Sequence, residues 1–140
     1  MDNEKILEIS AAILIDSKKR ILLQKKDSEY PLGPNKWSLV GGVVEKGENT
    51  KETIQREIKE EIGINFDKDK INLFGELLFE GNLNGRFLMV NHSMFIINFD
   101  KKISDIKIGE GAGFAFFEKE ELKKLNLMPP TKEMLERFFK

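Results

Sequence analysis

A chain of 140 residues, 40% hydrophobic and 34% charged, is long enough to bury one core and too short for two ordinary domains, so residues 1–140 are expected to form one domain. Its 23 basic and 24 acidic residues nearly cancel, which removes any general attraction to nucleic acid or a membrane surface and leaves phosphate binding to local groups. The lack of cysteine excludes disulfides, thiolate metal sites and thiol nucleophiles; with no signal-peptide core in MDNEKILEIS and no apolar run near the ~20 residues of a membrane span, a cytoplasmic protein is expected.

The first pattern, EISAAILIDSKKRILLQKK, has two apolar runs, Ile9–Ile15 and Ile21–Leu23, around the polar Asp16–Arg20, and predicts a strand hairpin. In DSEYPLGPNKWSLVGG, two prolines, three glycines and Asn35 mark a long connection that ends near Trp37–Val40. Loops of this kind often line sites. From Asn49 the signal is helical: Asn49 can cap, Glu52 takes the third helical position, Ile54, Ile58 and Ile62 recur every four residues, and Gly63 supplies a stop. The stretch INLFGELLFEGNLNGRFLMVNHSMFIINFD predicts two long strands joined by a turn at Asn84-Gly85, with mixed apolar faces that suit a partly covered sheet. GFAFFEKEELKKL predicts a short strand and a short helix, and PPTKEMLERFFK a closing helix with Met134, Leu135, Phe138 and Phe139 on one side.

Within the first helix, REIKEEIG places Glu57, Glu60 and Glu61 three and four positions apart near the C-terminal end. Like charges at that spacing repel by a few tenths of a kcal/mol per pair, and the helix dipole disfavours anions there. The three carboxylates fall within an arc of about 100° beside the isoleucine stripe, at the edge of the core. A solvated acidic face would ordinarily carry Lys or Arg at salt-bridge spacing, yet Lys59 lies far around the helix and only Arg56 adjoins the arc. A divalent cation would compensate the cluster. With hard oxygen donors, no cysteine and one histidine, the expected ion is Mg²⁺ or Mn²⁺ rather than zinc, and such a site points to phosphate chemistry.

Gly42 to Ile64 reads GVVEKGENTKETIQREIKEEIGI, which resembles the Nudix box: glycine, five residues, glutamate, seven residues, Arg-Glu, an aliphatic, any residue, Glu-Glu, any residue, glycine, an aliphatic. Every defined position is filled, an accident on the order of one in a million at average residue usage. The resemblance implies an α+β fold, a mixed β-sheet between helices in an α/β/α sandwich, and Mg²⁺- or Mn²⁺-dependent hydrolysis of a diphosphate linkage in a nucleoside diphosphate derivative. Carried over residue by residue, it implies metal ligation by Glu57, Glu60 and Glu61, often joined by the carbonyl of Gly41, and a structural ion pair between Glu48 and Arg56. Glu110, in the loop GEGAGFAFF before a strand, resembles a metal-binding or base glutamate of the nucleotide-sanitising branch; an exposed loop glutamate is the alternative. The implied mechanism is water attack on a diphosphate phosphorus with a carboxylate as base, Glu110 first and Glu60 next.

Signatures outside the box narrow the substrate. Many ADP-ribose hydrolases carry a proline some fifteen residues after the box, but none occurs here between Ile64 and Pro129; many dinucleoside polyphosphate hydrolases carry a tyrosine at a similar distance, but the only tyrosine is Tyr30. A coenzyme A signature and the cysteine of an isopentenyl diphosphate isomerase are also missing, which leaves nucleoside triphosphates as the leading class. NLMPPTKEML resembles the purine-reading segment of oxidised-dGTP hydrolases, but Lys132 stands where asparagine would be expected, and Val40 replaces the proline common before the double glycine. Lys25 and Lys26 could hold a phosphate tail or be a solvated pair; Tyr30 and Trp37 could stack on a base, or Trp37 could pack at a strand end. His92 reads as a sheet residue, since the family uses no histidine ligand there. The expected partner is a small-molecule nucleotide; a homodimer stays open, and a membrane and nucleic acid are disfavoured, although RNA 5′ ends, ADP-ribose and nucleotide sugars are substrates within the same family. A non-catalytic nucleotide-sensing module is the competing reading, and such modules tend to lose box glutamates that this chain keeps.

Overall fold

The computed structural model describes residues 6–29, 34–83, 85–106 and 113–140. Ten principal elements occur among them: strands β1 (Ile6–Ile15), β2 (Ile21–Lys25), β3 (Trp37–Ser38), β4 (Val40–Val43), helix α1 (Thr50–Ile62), strands β5 (Asn72–Leu83), β6 (Arg86–Asn98), β7 (Gly113–Phe117), and helices α2 (Lys119–Leu122) and α3 (Pro129–Phe138). Their sheet runs β3-β2-β1-β6-β5, with β4 on β1 and β7 on β2. It is mixed: β1 and β6 run parallel from Ile6↔Met89 to Ile15↔Asn98, and the other pairings are antiparallel.

The predicted hairpin exists only at its turn. The Asp16 carboxylate accepts from the backbone N–H of Lys18 and Arg20 and from Arg20 Nε, which closes the turn tightly. Beyond it the strands part after a single pair, Ile15↔Ile21. The remaining edge of β1 is taken by β4, from Ile9↔Val43 to Ala12↔Val40, while β2 pairs with β3 and β7. Leu39 separates β3 from β4, so the segment changes partner there.

Alternation along the strands divides the core into two layers. Ala12, Leu14, Leu22, Val40, Phe95 and Ile97 face α1 and pack on Ile54, Ile58 and Ile62. Ala11, Ile13, Ile21, Leu23, Leu39 and Met94 face the other way, against Leu122, Met134 and Leu135. This is the expected sandwich of a mixed sheet between helices. Burying each of the three isoleucines of α1 contributes about 1.5–3 kcal/mol, which makes the stripe the main anchor of that helix.

The ends of α1 follow the sequence signals. Asn49 Oδ1 accepts from the Glu52 N–H at 2.8 Å and Glu52 Oε1 accepts from the Asn49 N–H at 2.9 Å, a reciprocal cap. Gly63 closes the helix at φ 84°, a left-handed conformation that glycine adopts without strain. Ser10 Oγ on β1 donates to the Thr50 carbonyl at 2.7 Å and ties the start of the helix to the sheet. On β5 a bulge between Leu73 and Gly75 shifts the register against β6, a feature the strand pattern does not foretell. Of the predicted turn, Gly85 has φ 80°, and Asn84 lies outside the described residues.

Candidate active site

The acidic edge of α1 lies over β4, and a missing side chain lets it approach. A Cβ at Gly42 would overlap the carboxylate of Glu57, with its carbon and both oxygens as nearest neighbours. One at Gly41 would overlap the Ser10 carbonyl oxygen, because β4 runs close against β1 at that point. Glycine is therefore a packing requirement of the backbone at 41, whereas at 42 it is what lets the Glu57 carboxylate rest against β4.

Arg56 organises the carboxylates around it. Its Nε and Nη2 donate to the two oxygens of Glu48 at 2.6 and 3.0 Å, a bidentate pair, and Nη2 also reaches the Val43 carbonyl at 3.3 Å. Its Nη1 donates to Glu57 at 2.7 Å and to Glu60 at 2.9 Å. Glu48 accepts further from the Glu45 N–H at 3.0 Å and Thr53 Oγ1 at 2.8 Å. The Arg56 guanidinium, helped by the Glu45 N–H, holds the Glu48 carboxyl down to about 2, and Glu48 in turn raises Arg56 above its already high ordinary value. Both stay charged throughout the working pH range.

Glu57 is in the opposite situation. Its side chain is 15% exposed, and burial pushes its carboxyl above the ordinary value despite the two Arg56 contributions, with the Glu60 and Glu61 charges adding to the rise. Glu60 is more exposed, at 53%. Glu61 accepts from Gln24 Nε2 at 3.1 Å, and Gln24 Oε1 accepts from Lys26 Nζ at 3.3 Å. Among the described residues no three acidic or histidine side chains stand close enough together to enclose an ion; Arg56 Nη1 bridges Glu57 and Glu60 instead.

The expected substrate-binding residues fall into separate groups. Lys26 joins the acidic edge through Gln24. Lys25 pairs with Trp37 on the opposite face of β2. Trp37 is half-buried, meets the Phe117 ring edge-on at 4.9 Å, and carries backbone hydrogen bonds to Asn126 and Met128 at 2.9 Å, so it packs at a strand end. Lys132, on α3, lines a cavity of about 610 Å³ with Leu122, Leu125, Leu127, Leu135 and Phe139. That cavity lies on the α3 side of the sheet, across from the acidic helix. Tyr30 and Glu110 lie outside the described residues. His92 is buried in β6, its Nδ1 has no hydrogen-bond partner among the described residues, and burial lowers its pKa.

Against known families, the NUDIX domain model matches residues 7–138. The chain belongs to the Nudix family. An uncharacterized Nudix hydrolase of Listeria innocua, lin0387, is 28% identical over 115 residues, which is 80% of this chain; the chain spans 63% of that relative's length. The structure matches a MutT protein from Methanosarcina mazei Go1 with a TM-score of 0.79 at 22% identity, covering 99% of this chain and 96% of the other. It also matches the NUDIX domain of Shewanella oneidensis NrtR complexed with ADP ribose, with a TM-score of 0.71 at 14% identity over 96% of this chain and 86% of that one. At such identities the two likenesses establish a shared Nudix fold.

Nudix proteins generally use Mg²⁺ or Mn²⁺, and the donor chemistry here suits such an ion, with the carboxylates drawn to Arg56 rather than converged on one point. Three carboxylates share one helix edge and all donors are hard oxygens, with Arg56 holding Glu57 and Glu60 in the positions a cation would otherwise compensate. Gln24 was not apparent from the sequence pattern, where it reads as the polar end of an apolar strand. The signal that could have found it is a polar side chain falling, by strand alternation, on the face that Leu22 turns toward α1.

Proposed function

We propose that this Nudix chain hydrolyses a diphosphate linkage in a nucleoside triphosphate and releases a nucleoside monophosphate, with Mg²⁺ or Mn²⁺ as cofactor. The observation that carries the reading is the half-buried Glu57, seated over Gly42 beside Glu60 and Glu61 with its pKa raised by burial. Glu57, Glu60 and Glu61, with the Gly41 carbonyl, would hold the cation. When bound, the ion neutralises phosphate oxygens and lowers the pKa of the attacking water.

The chain's own residues perform the rest. Glu48 and Arg56 clamp the loop before α1 to the helix and fix the height of Glu57 over β4. Glu110 removes the proton from water as it attacks phosphorus, and Glu60, the more exposed of the Arg56-bound pair, is the next candidate for that base. The new P–O bond forms as the bridging P–O bond breaks, and the leaving phosphate carries away the electron pair. We assign the phosphate tail to Lys26, beside the acidic edge; Lys25, Trp37 and Lys132 lie on the opposite, α3 side of the sheet, away from that edge.

Triphosphates are favoured by elimination in the sequence. The NrtR likeness keeps an ADP-ribose-binding role as the second reading, and the full set of box glutamates favours turnover. The test is a screen with Mg²⁺ of oxidised and ordinary nucleoside triphosphates, ADP-ribose, dinucleoside polyphosphates and nucleotide sugars, beside Glu60→Gln. Metal-dependent pyrophosphate release from triphosphates, lost in the variant, is expected; tight binding without turnover of any compound would replace this reading with the sensing one.

A further inference from the structure

Glu61 is the penultimate residue of α1, where the helix dipole disfavours an anion, and the Arg56 guanidinium is engaged instead by Glu48, Glu57 and Glu60. Its restraint comes from the sheet. Gln24 on β2, 3% exposed, donates from Nε2 to Glu61 Oε2 at 3.1 Å and accepts at Oε1 from Lys26 Nζ at 3.3 Å. The chemistry fixes the orientation of the amide: an ammonium can only donate and an ionised carboxylate can only accept, so the carbonyl faces Lys26 and the amino group faces Glu61.

We infer that Gln24 is a positioning residue for the metal site, holding Glu61 through Oε2 so that its carboxylate is presented in one rotamer to the divalent ion. The inference rests on Glu61 being a ligand, as proposed above. An amide suits this task better than a cation would. A lysine in direct contact would neutralise the carboxylate and compete with the ion, whereas the amide restrains it and leaves its charge available. Lys26 orients the amide from behind, and the short strand β2 anchors both residues to the sheet.

The experiment is a calorimetric titration of the full chain with Mn²⁺, without nucleotide, for the wild type, Gln24→Met, Gln24→Asn, Glu61→Gln and the Gln24→Met/Glu61→Gln double variant. Methionine keeps the length without the donor; asparagine keeps an amide but is one methylene short of Glu61, which guards against a packing failure of the first variant. Partners that orient metal ligands typically account for about 10- to 100-fold in metal affinity. Both Gln24 variants are expected to bind Mn²⁺ at least ~10-fold more weakly than wild type. In the Glu61→Gln background, Gln24→Met is expected to change affinity by no more than about twofold, because the residue through which it acts is already altered. Wild-type affinity in both Gln24 variants, or an equal loss in the Glu61→Gln background, would overturn the positioning role alone. A wild-type chain that binds no Mn²⁺ would overturn the ligand reading of Glu61 and this inference with it.

Discussion

A Gly42→Ala substitution adds one methyl group to β4, and its Cβ would lie inside contact distance of the carbon and both oxygens of the Glu57 carboxylate. Gly42 does not have a positive φ, so alanine suits the backbone and the conflict is confined to Glu57. That side chain must rotate away and give up its 2.7 Å bond from Arg56 Nη1. A hydrogen bond between charged groups contributes about 1.5–3 kcal/mol. The loss is offset by the 0.4–1 kcal/mol, roughly, that alanine returns by narrowing the unfolded ensemble. The difference is about 0.5–2.5 kcal/mol of destabilisation, or a melting temperature lower by about 2–8 °C for a chain of this size. Activity should fall further, because a displacement of about 1 Å in a catalytic group can lower the rate about 100-fold. Thermal melts by circular dichroism and kcat/KM for triphosphate hydrolysis measure the two effects separately. A variant with wild-type melting and wild-type turnover would refute the seating of Glu57 over Gly42.

Arg56→Lys keeps the charge but not the fork, so it cannot grip both Glu48 oxygens while reaching Glu57 and Glu60; kcat/KM should fall by about 10- to 100-fold, and an unchanged value would show that the clamp is dispensable. Glu48 has a folded-state pKa of about 2 against an ordinary 4.5, so its contribution to stability is complete above 4.5 and is lost as pH falls from there toward 2. Melts of Glu48→Gln across that window should show a shallower acid limb than the wild type. His92 has a folded-state pKa below its ordinary 6.5, so the unfolded chain binds more protons and stability should decline as pH drops below 6.5; His92→Leu should flatten that part of the curve, and an identical slope would contradict the buried neutral ring.

What the sequence disclosed about the fold was chiefly what depends on near neighbours. The cap at Asn49, the isoleucine stripe and the stop at Gly63 are set within a few residues, and each is present in α1. The pairing of β1 was not legible, since its parallel partner β6 and its antiparallel partner β4 lie far along the chain and the local pattern favours a hairpin with β2. The bulge at Leu73/Gly75 left no trace in the alternation either.

At the site, the box located the carboxylates but not what holds them. Gly41 and Gly42 stood out as part of a motif, whereas the reason for each, backbone crowding at one and the Glu57 carboxylate at the other, exists only once β1, β4 and α1 are assembled. Lys25 and Lys26 read as one basic pair, yet strand alternation turns them to opposite sides of the sheet. Gln24 resembled the end of a strand and proved to be a link between sheet and helix.

The central claim, that the Glu57, Glu60 and Glu61 edge of α1 works through a divalent cation, is tested most directly by the initial rate of triphosphate hydrolysis as Mg²⁺ is titrated, in the wild type and in Glu57→Gln. The expected result is no turnover without the ion, saturation as it is added, and a loss of about 100-fold or more in the variant. Hydrolysis that persists in a chelator, or that is unchanged in Glu57→Gln, would contradict it.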